Sequence, residues 1–140
     1  MQHSEYYWTS KDNMKIYGQE WKPEGKVKAG IAMVHGLGEH SGRYEHIAQA
    51  FTDAGYSLTA FDLPGHGKSE GVRGHAKSYA VLMSDITQNI DLVKEHFPNL
   101  PVFLYGHSLG GNLVLYYCLT QKPQIKGAIV TSPGLGTAAP

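Results

Sequence analysis

Short apolar runs alternate along this chain with longer stretches whose apolar residues recur every three or four positions. The runs at residues 30–34, 56–61 and 102–105 have the composition of strands that a parallel sheet buries on both faces. The stretches between them have the period of amphipathic helices. This order predicts an α/β fold in which helices cover both faces of a mostly parallel sheet, with right-handed crossovers.

Turn and cap residues place the remaining elements. Further strands are expected at residues 6–9, 15–21 and 125–131, the first two as a hairpin. Helices are expected at residues 44–54, from 78 to 97, and from the turn at 106–111 to about 120. Gly55 and Pro98 end the first two helices, and Ser78 caps the second. His3 is expected in a mobile tail ahead of the hairpin.

Composition excludes several classes of protein. Twelve basic and twelve acidic side chains leave the 140-residue chain with no net charge, so no nucleic-acid partner is expected. The longest apolar stretch, residues 113–119, is far shorter than the ~20 residues of a transmembrane segment. Residues 1–10 show no secretory signal, which favours a cytoplasmic location. The single cysteine, Cys118, and eight scattered histidines predict no metal site, and we expect no cofactor.

The sharpest chemical signal is the pentapeptide Gly-His-Ser-Leu-Gly at residues 106–110, between a predicted strand and a predicted helix. A serine on such a turn is pushed out of the sheet, and the flanking glycines remove side chains that would collide with the bent backbone. Ser108 is therefore the expected nucleophile. The amide of Leu109, at the helix amino terminus, supplies half of an oxyanion hole. The amide of Leu37, in the glycine-rich loop after the strand at 30–34, is expected to supply the other half.

Three motifs in fixed order resemble a known family. The segments HGLGEHSGRY (35–44), DLPGHGKSEG (62–71) and GHSLGGN (106–112) are similar to those of the monoacylglycerol lipase and lysophospholipase group of α/β-hydrolases. The resemblance runs from about Tyr7 to Pro133. It implies that residues 1–140 are the amino-terminal part of one α/β-hydrolase domain, without the last strands and the lid. It also implies a serine ester hydrolase that acts on monoacylglycerol or lysophospholipid-like esters through a Ser108 acyl-enzyme.

The sequence after Ser108 contains no histidine, aspartate or glutamate. In the family that this chain resembles, the catalytic acid and the catalytic histidine both follow the serine, so the general base is missing from the printed sequence. The upstream histidines are poor substitutes. His35 and His66 are the nearest candidates, and we interpret both as structural.

The missing base leaves other readings open. One is a non-catalytic fragment that needs a carboxy-terminal complement or associates with itself through its last, apolar strand. Another is a thioesterase, acyltransferase or peptidase on the same fold. The resemblance also suggests that Glu39 and Arg43 lie near the polar head of a glyceride substrate. Their alternative is a salt bridge that fastens the start of the first helix.

Overall fold

Six strands form one sheet in the computed structural model, which describes residues 1–135. The strands are β1 (Gln2–Thr9), β2 (Lys15–Lys22), β3 (Ala29–Val34), β4 (Tyr56–Phe61), β5 (Val102–His107) and β6 (Gly127–Thr131). Their order in the sheet is β1-β2-β4-β3-β5-β6. β3 pairs in parallel with β4 and β5, and β5 pairs in parallel with β6, whereas β1 and β2 are antiparallel. The predicted mostly parallel sheet is confirmed; residues 136–140 of the predicted domain lie outside the described residues.

Helices cover both faces of this sheet, as predicted. They are α1 (Glu45–Asp53), α2 (Tyr79–His96) and α3 (Leu109–Gln121). Successive residues of β3 point to opposite faces. Ile31 and Met33 join the apolar cluster on the α1 side, whereas Ala32 and Val34 join the larger cluster that α2 and α3 cover. Because apolar clusters cover both of its faces, β3 is buried throughout, and its sequence is a continuous apolar run.

The predicted helix boundaries agree with the observed caps. The Ser78 hydroxyl accepts a hydrogen bond from the amide of Val81 at 3.3 Å, which satisfies one of the unpaired amides at the start of α2. Gly55 follows α1 with a φ of +96°, a conformation that favours glycine.

The amino terminus departs from the prediction. β1 begins at Gln2, and His3 pairs with Trp21 of β2. The Nε2 atom of His3 also lies 2.8 Å from Oε1 of Gln19. The expectation of a mobile tail at His3 is therefore wrong. The physical reason is that β2 extends to Lys22 and offers the tail a continuous row of backbone partners.

Candidate active site

The candidate nucleophile lies where β5 passes into α3. β5 ends at His107 and α3 begins at Leu109, so Ser108 alone forms the turn. Its backbone angles are φ 57° and ψ −119°, a strained conformation for a residue with a side chain. The residue is exposed. A sharp turn between a buried strand and a helix therefore presents the Ser108 side chain to solvent at the carboxyl edge of the sheet.

Two glycines allow the turn to be this tight. A Cβ placed on Gly106 would lie 2.3 Å from the carbonyl oxygen of Gly110, and a Cβ on Gly110 would lie 2.1 Å from the carbonyl oxygen of Val34. Real Cβ atoms do not approach oxygen this closely, so any larger residue would push α3 away from the strands. The glycines of the pentapeptide are required by the backbone packing around Ser108.

Strand β6 also holds the turn. The amide of Ser108 donates to the carbonyl of Thr131 at 2.9 Å, and Nδ1 of His107 lies 2.8 Å from Oγ1 of Thr131. Thr131 is the last residue of β6, and its part in fixing Ser108 is not visible in the sequence, because only the parallel pairing of β5 with β6 brings it there. The ring of His107 is thus directed to Thr131.

The loop after β3 reaches the turn from the other side. A Cβ on Gly36 would lie 3.2 Å from the Cβ of Ser108 and 3.2 Å from the carbonyl oxygen of His107. The next residue, Leu37, has an exposed side chain. Within residues 1–135 neither the Leu37 amide nor the Leu109 amide donates a hydrogen bond to the protein. Both N–H groups are therefore without a protein partner within the described residues.

His35 fixes the orientation of this loop. Its Nε2 accepts a hydrogen bond from the amide of Leu63 at 3.0 Å, so its Nδ1 carries the proton and donates to the carbonyl of Gly36 at 2.7 Å. Burial lowers the pKa of His35 to about 4, which keeps the ring neutral. The peptide that joins Gly36 to Leu37 is planar and trans, so the Leu37 N–H points away from the fixed Gly36 carbonyl.

No histidine of residues 1–135 is hydrogen-bonded to the Ser108 hydroxyl in this structure. Both ring nitrogens of His35 are occupied by backbone partners. His66 is buried, and its Nδ1 lies 3.0 Å from the carbonyl of Pro64. The two contacts of His35 support its structural interpretation, whereas Nε2 of His66 is buried without a hydrogen-bond partner within residues 1–135. A general base for Ser108 is not assembled by the described residues.

Glu39 contacts the backbone of the loop that follows β3. Its Oε2 accepts one hydrogen bond from the amide of Gly36 and another from the hydroxyl of Tyr44, both at 2.6 Å. Arg43 is exposed, and no ion pair between Glu39 and Arg43 is present in the described part of the chain. The salt bridge that the sequence suggested as an alternative is therefore absent there. The sequence carries no signal for the contact from Glu39 back to the amide of Gly36.

Two further observations concern the described residues as a whole. No helix between residues 1 and 135 combines the length and the apolar character that crossing a bilayer requires. No cluster of three or more histidine, cysteine, aspartate or glutamate side chains converges there on a point that would hold a metal ion.

Comparison with known proteins decides the family. Residues 25–140 match the model of the Hydrolase_4 family, described as "Serine aminopeptidase, S33". The chain belongs to the Hydrolase_4 family.

Two curated proteins illustrate what this Hydrolase_4 chain is similar to. The chain is 38% identical over 122 residues to the human protein named monoglyceride lipase, covering 87% of this chain and 40% of that protein. It is 49% identical over 114 residues to an uncharacterized abhydrolase domain-containing protein of Dictyostelium discoideum, covering 81% of this chain and 12% of that protein. The chain spans less than half the length of these relatives.

A solved structure confirms the α/β-hydrolase fold. A thermostable carboxyl esterase from Bacillus coagulans, solved in complex with glycerol, superposes with a TM-score of 0.85 at 30% identity. The match covers 93% of this Hydrolase_4 chain and 44% of the esterase. The six-strand sheet with helices on both faces is thus the core of an α/β-hydrolase.

Proposed function

We propose that this chain forms the nucleophile half of a serine ester hydrolase. The observation that carries the proposal is the strained and exposed Ser108 at the turn from β5 to α3, with the free amides of Leu37 and Leu109 nearby. In the proposed reaction the Ser108 Oγ attacks the ester carbonyl. The two amides stabilise the oxyanion of the tetrahedral intermediate, while a general base takes the Ser108 proton and passes it to the leaving alcohol as the ester C–O bond breaks. Water then hydrolyses the Ser108 acyl-enzyme that remains and releases the carboxylic acid.

The proposed substrate is a monoacylglycerol or a lysophospholipid-like ester. The name of the human relative and the three sequence motifs support this class. The loop at residues 35–40, which carries the Leu37 amide, is called the oxyanion loop from here on. Arg43 is exposed just after this loop, and Oε1 of Glu39 accepts no hydrogen bond within residues 1–135, so both are proposed to face the polar head of the substrate. No cofactor enters the proposed reaction.

The general base and its acid are proposed to come from a carboxy-terminal complement, either as further polypeptide or as a separate chain. The absence of any histidine or carboxylate between residues 109 and 140 supports this part of the proposal. A peptidase is the second candidate activity, because the Hydrolase_4 family carries the description of a serine aminopeptidase. Thioesterase and acyltransferase activity on the same fold are the remaining alternatives.

Ester hydrolysis tests the proposal. The 140-residue chain is assayed on monoacylglycerol, lysophospholipid and aminoacyl substrates, with and without the carboxy-terminal part of a Hydrolase_4 relative. We expect hydrolysis of the esters in the complemented sample and a loss of about 10⁴-fold or more in kcat for Ser108→Ala, because a residual rate remains without the nucleophile.

Ser4→Ala is the matched control, since Ser4 is exposed on β1. It is expected to retain full activity. Equal rates for Ser108→Ala and the unaltered chain would refute the assignment of the nucleophile. Faster turnover of the aminoacyl substrates would select the peptidase alternative, and turnover by the chain alone would show that its upstream histidines supply the base.

A further inference from the structure

Both peptide groups that flank Gly36 are held by hydrogen bonds to side chains, which are called anchors here. Its carbonyl accepts the hydrogen bond from His35, and its amide donates to Oε2 of Glu39 at 2.6 Å. A glycine without such anchors samples a wide range of φ and ψ. The direction of the following N–H, that of Leu37, therefore depends on how firmly these two anchors hold Gly36.

The Glu39 anchor is tied to the hydrophobic core. The hydroxyl of Tyr44 donates to the same Oε2 atom at 2.6 Å. Tyr44 is 6% exposed and packs in the apolar cluster between α1 and the sheet. Burial, together with the adjacent Glu39 carboxylate, raises the pKa of Tyr44, so the phenol remains a donor at neutral pH. A continuous path of contacts thus leads from the core through Tyr44 and Glu39 to Gly36.

The anchored glycine abuts the nucleophile. A Cβ on Gly36 would lie 2.9 Å from Oε2 of Glu39 and 3.2 Å from the Cβ of Ser108, which leaves the loop backbone little room in either direction. Loss of the carboxylate would open that space and let the loop move relative to Ser108. A displacement of about 1 Å in a catalytic group can lower a rate by about 100-fold.

We infer that Glu39 and Tyr44 are positioning residues of the oxyanion loop: the Tyr44 hydroxyl orients the Glu39 carboxylate, which holds Gly36 and thereby aims the Leu37 amide at the oxyanion. This inference rests on the proposed function of Leu37 as an oxyanion donor. In this inference Oε2 of Glu39 holds the Gly36 amide, and any contact with the substrate head is made separately by Oε1. Loss of the Oε2 contact lowers kcat, whereas loss of the Oε1 contact raises KM.

Steady-state kinetics of the chain complemented with the carboxy-terminal part of a Hydrolase_4 relative distinguish loop positioning by Oε2 from substrate contact by Oε1. Glu39→Ala removes both oxygens and is expected to lower kcat by about 10- to 100-fold, whereas any accompanying rise in KM reports the lost contact of Oε1 with the substrate head. Glu39→Gln is expected to recover most of kcat, because one amide carbonyl oxygen accepts both hydrogen bonds. Glu45→Ala, an exposed glutamate at the start of α1, is the control and leaves kcat unchanged. A rise in KM without a fall in kcat would overturn the inference.

The amide proton of Gly36 tests the anchor without turnover. In the 140-residue chain, nuclear magnetic resonance is expected to show this proton shifted downfield and protected from exchange with solvent. Glu39→Ala should abolish both properties, and Tyr44→Phe, which removes a single hydroxyl, should speed exchange even if Glu39→Ala does not fold. An unchanged Gly36 signal in Tyr44→Phe would overturn the inference. If the signal responds while no ester is hydrolysed, the proposed function fails and the anchor stands.

Discussion

Ser108 adopts its conformation at a cost to stability that its neighbours offset. A residue other than glycine at φ 57° and ψ −119° carries strain on the order of 1–3 kcal/mol. The hydrogen bond from its amide to Thr131 and the close packing of Gly106 on Gly110 hold it there. The conformation of Ser108 therefore depends on one backbone hydrogen bond and on close backbone packing at two glycines.

Gly110→Ala tests that packing. The new Cβ would lie 2.1 Å from the carbonyl oxygen of Val34 and 2.5 Å from that of His35, both on the backbone. We expect the free energy of unfolding to fall by about 1–3 kcal/mol, because α3 must shift away from β3. Urea unfolding followed by circular dichroism measures this change.

Gly25→Ala is the matched control, since no atom lies within 4 Å of a Cβ built there. Its free energy of unfolding is expected to stay within about 0.5 kcal/mol of the unaltered chain. Equal stabilities for the two alanine variants would show that α3 approaches β3 less closely than the structure has it.

Among the elements, β1 and α2 are joined by a buried carboxylate. The indole Nε1 of Trp8 donates to Oδ1 of Asp85 at 3.0 Å. Asp85 is 0% exposed, and its Oδ2 has no hydrogen-bond partner among residues 1–135. Burial raises the pKa of Asp85 to about 6 in spite of the Trp8 hydrogen bond. Ionisation of this group therefore opposes folding at neutral pH.

The stability of the chain should depend on pH through Asp85. The folded state binds this proton more tightly than the unfolded state, whose carboxyl titrates near its ordinary value of 3.8. The contribution of Asp85 to stability therefore falls as pH rises from about 4 to about 6, by up to about 3 kcal/mol. Thermal unfolding between pH 4 and 8 measures the trend.

Asp85→Asn should remove this part of the pH dependence and raise the melting temperature at pH 7, because the amide is uncharged and still accepts from Trp8. Asp91→Asn, on the exposed side of α2, is the control and should leave the trend intact. If Asp85→Asn and the unaltered chain keep the same difference in stability from pH 4 to pH 8, Asp85 does not titrate in this range.

At the scale of the whole molecule, the sheet ends in an open edge. Within residues 1–135, β6 pairs with β5 alone. Ile129 in this strand is 38% exposed, and its neighbour Ala128 is also exposed. An apolar edge strand with unpaired backbone groups is a template for another strand. This edge is the surface at which we propose that a carboxy-terminal complement or a second copy binds.

Self-association of the 140-residue chain is therefore expected to increase with concentration. Ile129→Lys should reduce it, because a charged side chain on an edge strand opposes pairing. Val72→Lys replaces an exposed apolar residue outside the sheet and should have no effect. Sedimentation velocity measures the distribution, and a single monomeric species at high concentration of the unaltered chain would contradict the proposal.

The sequence by itself determined the elements and the family. The alternation of apolar runs with helical periods located β3 to β6 and all three helices, and Gly55, Ser78 and Pro98 marked helix ends. The strand, turn and helix around Ser108 were also predicted. These features depend on backbone preferences and on burial patterns that repeat over a few residues, so they can be predicted without knowledge of distant contacts.

Only the tertiary structure decided which distant groups meet. The placement of β3 between β4 and β5 brings the Gly36 loop to Ser108, and the pairing of β6 brings Thr131 to the same turn. The return of Glu39 to the Gly36 amide and the ordering of His3 were likewise invisible in the sequence. Such contacts depend on strand order, register and side-chain direction, which are selected by the packing energy of the whole chain and not by any local segment.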